Sequence, residues 1–308
     1  MGRGTISGAR RSAPALMSVL VCFGFGYCAE HFVAAFGDKF EGIVGTVRCA
    51  ERAAVLNAYK PGFLEAVAFD GAQATPELCD AIARARYALV SIPPGEDGDP
   101  VLAAFGDDLA AAENLRSVVY FSTVGVYGDH GGGWVDEQTS VAPASARSRR
   151  RLAAEEAWQA LGARRGIAVA VLRLAGIYGP GKNALLQIAR GKARRIVKPG
   201  QIFNRIHVAD IALAIDAAFT RCASGVFNIA DDEPAPPADP IVFAAQLMGR
   251  APPPEERFDE VAASMSPMAL SFWQECRRVK NDKLKRALGV TLRYPTYREG
   301  LRALFEKP

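Results

Sequence analysis

The chain has 308 residues, half of them apolar, with 37 basic and 33 acidic side chains and a formal charge of +4. Three of the cations, Arg3, Arg10 and Arg11, lie in the acid-free first sixteen residues, which leaves 34 bases against 33 acids in the rest. A near-neutral body of this size can bury one large core or two modest ones and argues against a general nucleic-acid binder.

Cys22, Cys28, Cys49, Cys79, Cys222 and Cys276 show no CxxC or zinc spacing, and the three histidines add no ligand cluster, so no metal site is expected. Reduced, mostly buried thiols in a cytoplasmic protein are the simpler reading. Residues 1–16 are expected to form a disordered extension, with Met17 a candidate functional start, because the apolar run that follows is short and merges into a glycine motif. No other stretch reaches the roughly 18 apolar residues of a membrane span.

In chain order, "SVLVCF" (18–23) predicts a first strand and "YCAEHFVAAF" (27–36) a helix. Between them stands Gly24-x-Gly26-x-x-Ala29. A glycine turn there lets backbone approach a pyrophosphate at a helix N-terminus, and Ala29 keeps helix and sheet close. "GIVGTV" (42–47) is the second strand. At its end an NAD site carries an acid, whereas an arginine suits a 2′-phosphate. This chain has Thr46, then Arg48 and Arg52, so NADP is expected over NAD. Asp70, directly after the strand "EAVAF" (65–69), completes the candidate cofactor set.

"TPELCDAIARA" (75–85) reads as a helix with Thr75 as N-cap and Pro76 at its first position. "YALVSI" (87–92), "SVVYFS" (117–122) and "AVAVLRL" (168–174) continue the strands, with helices in "DPVLAAFGDDLAAAE" and "RRRLAAEEAWQALGARR". Apolar strands separated by helices predict an α/β Rossmann-type doubly wound parallel sheet over residues 17–175. From residue 176 to 308, proline-rich turns broken by helices predict a smaller C-terminal substrate-binding lobe interleaved with the sheet.

The segment "SARSRRRLAAEE" (145–156) carries an oddity. On a helical wheel Arg147, Arg151, Ala154, Trp158 and Leu161 fall within about 80° of one another, and Arg149 points the opposite way. Two arginines thus share the face that buries tryptophan and leucine. "RGKARRIVK" (190–198), five of nine residues basic, is either a solvated face or part of an anion funnel.

Four stretches together resemble the extended short-chain dehydrogenases/reductases, the superfamily of UDP-galactose 4-epimerase and nucleotide-sugar dehydratases. "YFSTVGVYGD" (120–129) resembles its "SSxxVYG" signature and "VLRLAGIYGPGKN" its "LRxxxxYGPG" segment. "RIHVADIALAI" resembles "HVxDxA", and "NDKLKRALGVTLRYPTYREGL" the C-terminal signature. Phe23 stands where the usual GxxGxxG has its first glycine, which is similar to the atypical branch.

The resemblance implies a catalytic Ser/Thr at Thr123, with a Tyr-x-x-x-Lys pair downstream in which lysine holds the nicotinamide ribose and tyrosine moves a proton. Here Arg147, 24 residues after Thr123, takes the tyrosine place and Arg151 the lysine place. Arg151 can donate to ribose hydroxyls. Arg147 exchanges no proton near neutrality but suits a carboxylate or phosphate. Tyr127, Tyr178 or the Asp136/Glu137 pair are candidate substitute acids; His207 and Asp210 read more simply as packing and helix-end residues.

Three readings stay open: an NAD(P)-dependent oxidoreductase or epimerase with a non-standard site, a non-catalytic dinucleotide-binding sensor or regulator, and an isomerase- or lyase-type enzyme. The partner implied is a small anionic substrate, including phosphorylated compounds and nucleotide sugars. Neither nucleic acid nor membrane is expected, and a homodimer is compatible with the family.

Overall fold

The computed structural model describes residues 18–59 and 62–306. The expected extension at residues 1–16, with Met17, lies outside the described residues. The first half alternates strand and helix: β1 (Val19–Phe23), α1 (Tyr27–Phe36), β2 (Gly42–Val47), α2 (Ala50–Tyr59), β3 (Leu64–Ala68), α3 (Pro76–Arg84), β4 (Ala85–Val90), α4 (Pro100–Ala111), β5 (Ser117–Thr123). Then come β6 (Trp134–Val135), α5 (Ala146–Arg165), β7 (Ala168–Leu174), β8 (Gly176–Tyr178), α6 (Ala184–Ala189), β9 (Arg195–Val197), β10 (Arg205–His207) and α7 (Val208–Arg221). The chain ends through β11 (Gly225–Ile229), α8 (Asp239–Leu247), β12 (Glu255–Arg257), α9 (Phe258–Val261), α10 (Pro267–Trp273), β13 (Arg278–Val279), α11 (Asp282–Leu288) and α12 (Tyr297–Glu306).

Seven strands form one parallel sheet in the order β11-β7-β5-β4-β1-β2-β3. This is the doubly wound α/β sheet expected from the apolar runs. Its seventh strand, β11, comes from beyond residue 175. The period of two divides each central strand between two apolar layers. In β1, Leu20 and Cys22 face Phe32 of α1 and Ile211, Ile215 and Phe219 of α7. Val21 and Phe23 face Leu78 and Ile82 of α3, Phe105 of α4, and Trp158 and Leu161 of α5. Burial of both faces explains why these strands carry no alternating polar residues. A third cluster, with Tyr178, Leu185, Ile241, Tyr297 and Leu301, forms the centre of the lobe.

The helix ends follow local chemistry. The Ser145 hydroxyl accepts the Ser148 amide at the start of α5, and Gly166 closes that helix at φ 65° in the left-handed region. Asp99 Oδ1 caps α4 through the Val101 and Leu102 amides, while Oδ2 accepts Trp158 Nε1 at 3.1 Å and ties α4 to α5. Thr75 precedes α3 as expected, but its hydroxyl makes no cap bond and is buried without a partner; Pro76 and Glu77 in the first turn supply the start signal. Among the described residues no helix is long and apolar enough to cross a membrane, and no His/Cys/Asp/Glu group could hold a metal ion.

Candidate active site

The order of the sheet reverses between β1 and β4, and a crevice opens there at the strand C-termini. Gly24 leaves β1 at φ +92°, and a side chain on it would meet Ser91 Oγ at 2.5 Å. Ser91 Oγ donates to Gly24 O at 2.7 Å, and Gly24 N donates to Thr46 Oγ1 at 2.8 Å. Gly24 is therefore required by the fold itself. Gly26 is different: its backbone is extended (φ −117°, ψ −163°) and a Cβ there would meet nothing within 4 Å. No side chain caps the first turn of α1, so its amides remain available at this opening. Ala29 is buried against the sheet, as its small side chain suggests.

A cleft of about 850 Å³ adjoins the turn, lined by Gly24, Gly26, Thr46, Arg48, Arg52 and Asp70 among others. The structure thus brings the sequence-derived cofactor set to one place, apart from Ala29, which packs inward, and Arg151. Two of these residues act differently from expectation. Thr46 is buried and its hydroxyl supports the Gly24 amide, so it braces the turn instead of standing in for a ribose-binding acid. Arg52 is engaged by Glu30 at 3.2 Å, an exposed pair of small energetic weight, while Arg48 is exposed directly after β2.

A second cavity, about 790 Å³, lies where the ends of β5 and β7 meet the lobe. Thr123, Arg147 and Arg151 all line it. The α5 stripe runs from core to rim: Ala154, Trp158 and Leu161 are buried, Arg151 is half-buried and Arg147 is exposed. Arg151 donates to Phe121 O at 2.6 Å and to Tyr120 Oη at 3.2 Å, which fixes it on β5. Arg147 stacks on Phe272 of α10, its guanidinium 4.8 Å from the ring centre. Thr123 Oγ1 accepts the Gly125 amide at 3.1 Å. Beneath them Glu155 holds Arg173 at 2.7 Å and accepts the Ser122 hydroxyl, a buried group that sets α5 against β5 and β7.

Tyr127 does not belong to this site. It is fully buried, its hydroxyl donates to Asn228 Oδ1 at 2.8 Å, and Arg173 lies over its ring at 4.8 Å. The Asp136/Glu137 pair is also engaged elsewhere, Asp136 in a turn with Thr139 and Glu137 on the Asn228 amide at 2.8 Å. Tyr178 lines the cavity, but burial pushes its pKa up well beyond the ordinary phenol range and its hydroxyl donates to Thr296 O at 3.3 Å. His207 Nδ1 accepts the Ala209 amide at the start of α7, and burial lowers its pKa to about 4, so it is neutral. Asp210 accepts the Arg293 and Tyr294 amides; burial raises its pKa to about 6.

Three cations of the basic run 190–198 are already engaged. Arg194 and Arg195 pair with Glu256 and Glu255 across the β9–β12 ladder, the second pair at 3.1 Å, and Lys198 donates to Trp273 O. Sequence reasoning also missed several lining residues. Ser148, one position after Arg147, is buried and its hydroxyl accepts that of Ser145 at 2.9 Å. Lys182, Arg205, Arg277 and Tyr297 reach the cavity from distant parts of the chain. Lys182, Arg205 and Tyr297 stand inside the segments that carry the resemblance, which was the one local signal for them.

A parallel sheet with a glycine turn at its switch point defines the class, a Rossmann-type α/β protein with an added lobe. Residues 107–230 match the model of the NAD dependent epimerase/dehydratase family. A functionally unknown conserved protein from Silicibacter pomeroyi is 43% identical, with TM-score 0.82 over 94% of this chain and 98% of its own. The dTDP-glucose 4,6-dehydratase of Bacillus anthracis, solved in complex with NAD, superposes with TM-score 0.74 at 18% identity over 94% and 96% of the two chains. A 3-diazoavenalumate denitrifying reductase from Streptomyces is 31% identical over 142 residues, 42% of this chain and 45% of that protein. The chain spans about half the length of the curated relatives it matches. Residues 107–230 thus carry the likeness to the NAD dependent epimerase/dehydratase family, and the whole chain shares its fold with the solved dehydratase.

Proposed function

We propose that the protein is a nicotinamide-dinucleotide-dependent oxidoreductase or epimerase-type enzyme acting on a small anionic substrate. The observation that carries this reading is charge. The cavity wall holds Arg147, Arg151, Lys182, Arg205 and Arg277 against one acid, Glu275. That acid is already engaged by Arg277 at 2.8 Å. The remaining cations call for an anion from outside.

The glycine turn fits a dinucleotide. Gly26 has an ordinary backbone angle and open space beside it, so the turn's own packing does not demand glycine; close approach of a ligand does. Gly24, Gly26 and the uncapped α1 amides would hold the pyrophosphate. Arg48 and Asp70 would meet the adenosine end, and Arg48 favours NADP over NAD. Arg151, fixed on β5, would reach the nicotinamide ribose. When bound, the nicotinamide supplies hydride donation or acceptance.

The chain's own residues then bind and orient. Arg147, always charged, holds negative charge and moves no proton. The Thr123 and Ser148 hydroxyls line the same wall and can donate to a substrate oxygen. Burial keeps the Tyr178 hydroxyl protonated and that proton is directed to Thr296 O at 3.3 Å, so the site suits a step in which arginine stabilises developing negative charge and water exchanges the proton. The reductase name of the Streptomyces relative supports redox chemistry.

The same shortage of a proton donor favours a second reading, a dinucleotide sensor without turnover. Titration with NADPH and NADH, followed by a hydride-transfer screen on carboxylates, phosphorylated compounds and UDP-glucose, separates them. Turnover supports the enzyme, and tight binding without turnover on any class supports the sensor. No dinucleotide binding removes both.

A further inference from the structure

Arg205, at the start of β10, lines the cavity from the lobe side. Its guanidinium donates only to backbone carbonyls, Nη1 to Phe203 O at 3.2 Å and Ala235 O at 3.3 Å and Nη2 to Pro236 O at 3.4 Å. These are long, neutral contacts. No carboxylate comes within the 4.0 Å of an ion pair among the described residues, although the side chain is half-buried. The guanidinium sits 5.7 Å over the ring of Tyr297. Tyr297 lines the same wall, and its hydroxyl is buried without a hydrogen-bond partner. A cation without a carboxylate partner and an unpaired hydroxyl therefore occupy one corner.

The acid that acts most on Arg205 is Asp231, whose amide donates to Arg205 O at 2.7 Å. Burial raises the pKa of Asp231 to about 8, so at neutral pH it leaves the guanidinium largely uncompensated. The rest of the corner is apolar: Ile177, Ile241 and Leu301 line it. Its buried amides are committed to the fold. Asn183 caps α6 and donates to Gly179 O, and Asn204 donates to Arg277 O and accepts the Val279 amide. That leaves one lining side-chain amide, Gln187, for a nucleotide base.

We infer that Arg205 and Tyr297 form an anchor for the carboxylate of a substrate with an apolar body, and that the cavity takes apolar carboxylic acids in preference to nucleotide sugars. This rests on the reading of the cavity as the site of a small anionic substrate. Arg147 and Arg151, from the opposite element α5, then hold the reacting end.

The test is calorimetric titration of the full chain with cinnamate, its uncharged amide and UDP-glucose. Cinnamate should bind at least about tenfold more tightly than the amide, since only the acid makes charge-assisted bonds. It should also bind more tightly than UDP-glucose. Arg205→Met should abolish the acid–amide difference and Arg147→Ala should keep it. Tyr297→Phe, which removes only the hydroxyl, should weaken the acid several-fold and the amide less, and it decides the case if Arg205→Met does not fold. Equal binding of acid and amide overturns the anchor. Loss of the difference in Arg147→Ala but not in Arg205→Met overturns it too, while leaving the anionic cavity intact. Tighter binding of UDP-glucose overturns the preference. No binding of any of the three overturns the anchor and the cavity reading together.

Discussion

Replacing Asp231 with asparagine should make the protein more stable as pH rises above the acidic range. Asp231 is buried, its Oδ1 accepts the Glu233 amide at 3.2 Å and its Oδ2 has no partner. Burial lifts its pKa from 3.8 to about 8, with Arg205 opposing that rise and Asp232 and Glu233 adding to it. The native state therefore binds a proton that the unfolded chain releases near pH 4. Stability falls as pH climbs through that window and levels off once the native carboxyl ionises. At about 1.4 kcal/mol for each pH unit crossed, the loss between about pH 5 and about pH 8 is on the order of 3 kcal/mol. An asparagine side chain cannot ionise, and its oxygen still accepts the Glu233 amide. Urea unfolding from mildly acidic to mildly basic pH should show a wild-type decline that Asp231→Asn lacks. Parallel curves for the two proteins would refute the argument and remove the reason for an uncompensated Arg205.

Four other expectations follow from the same contacts. Arg48→Ala should shrink a preference for NADPH over NADH that is at least about tenfold, some 1.4 kcal/mol, in the unmodified protein; equal wild-type affinities would end the NADP assignment. Glu155→Ala should lower stability by about 3–5 kcal/mol, read in denaturant melts, because it strands Arg173 in the core. Tyr127→Phe should cost about 1 kcal/mol of stability and leave ligand affinities unchanged, as a core bond to Asn228 requires. Restoring the family pair with Arg147→Tyr and Arg151→Lys should leave NADPH affinity nearly unchanged in fluorescence titration, because lysine still reaches the ribose.

The sheet was legible because each central strand is an apolar run bounded by turn residues, and only burial on both faces produces that pattern. The glycine turn was legible for a related reason: it sits between a strand and a helix, where few other uses for Gly24 and Gly26 exist. The paired arginines of α5 could be found from a 100° wheel alone, since the helix that carries them also buries Trp158. What failed depended on partners far away. Tyr127 looked like a site residue within "VYG", but its hydroxyl is taken by Asn228, 101 positions later. The run 190–198 read equally as a solvated face or an anion funnel, and its acids arrive 62 positions on for Arg194, from β12. Arg205 and Tyr297 meet only because β10 and α12 close over one end of the cavity, and no local pattern encodes that. Thr46 was placed in the right cleft but with its hydroxyl turned to the backbone it supports.

The central claim is that the turn after β1 was built for a dinucleotide, and Gly26→Ala tests it most directly. The backbone at Gly26 lies at an ordinary φ of −117°, and the added methyl would meet no protein atom within 4 Å. The melting temperature should therefore stay where it is, while NADPH affinity, measured by fluorescence titration, should fall by at least about tenfold because the methyl occupies the space the pyrophosphate needs. An alanine variant that binds NADPH as tightly as the unmodified chain, or a wild-type chain that does not bind it, would contradict the account.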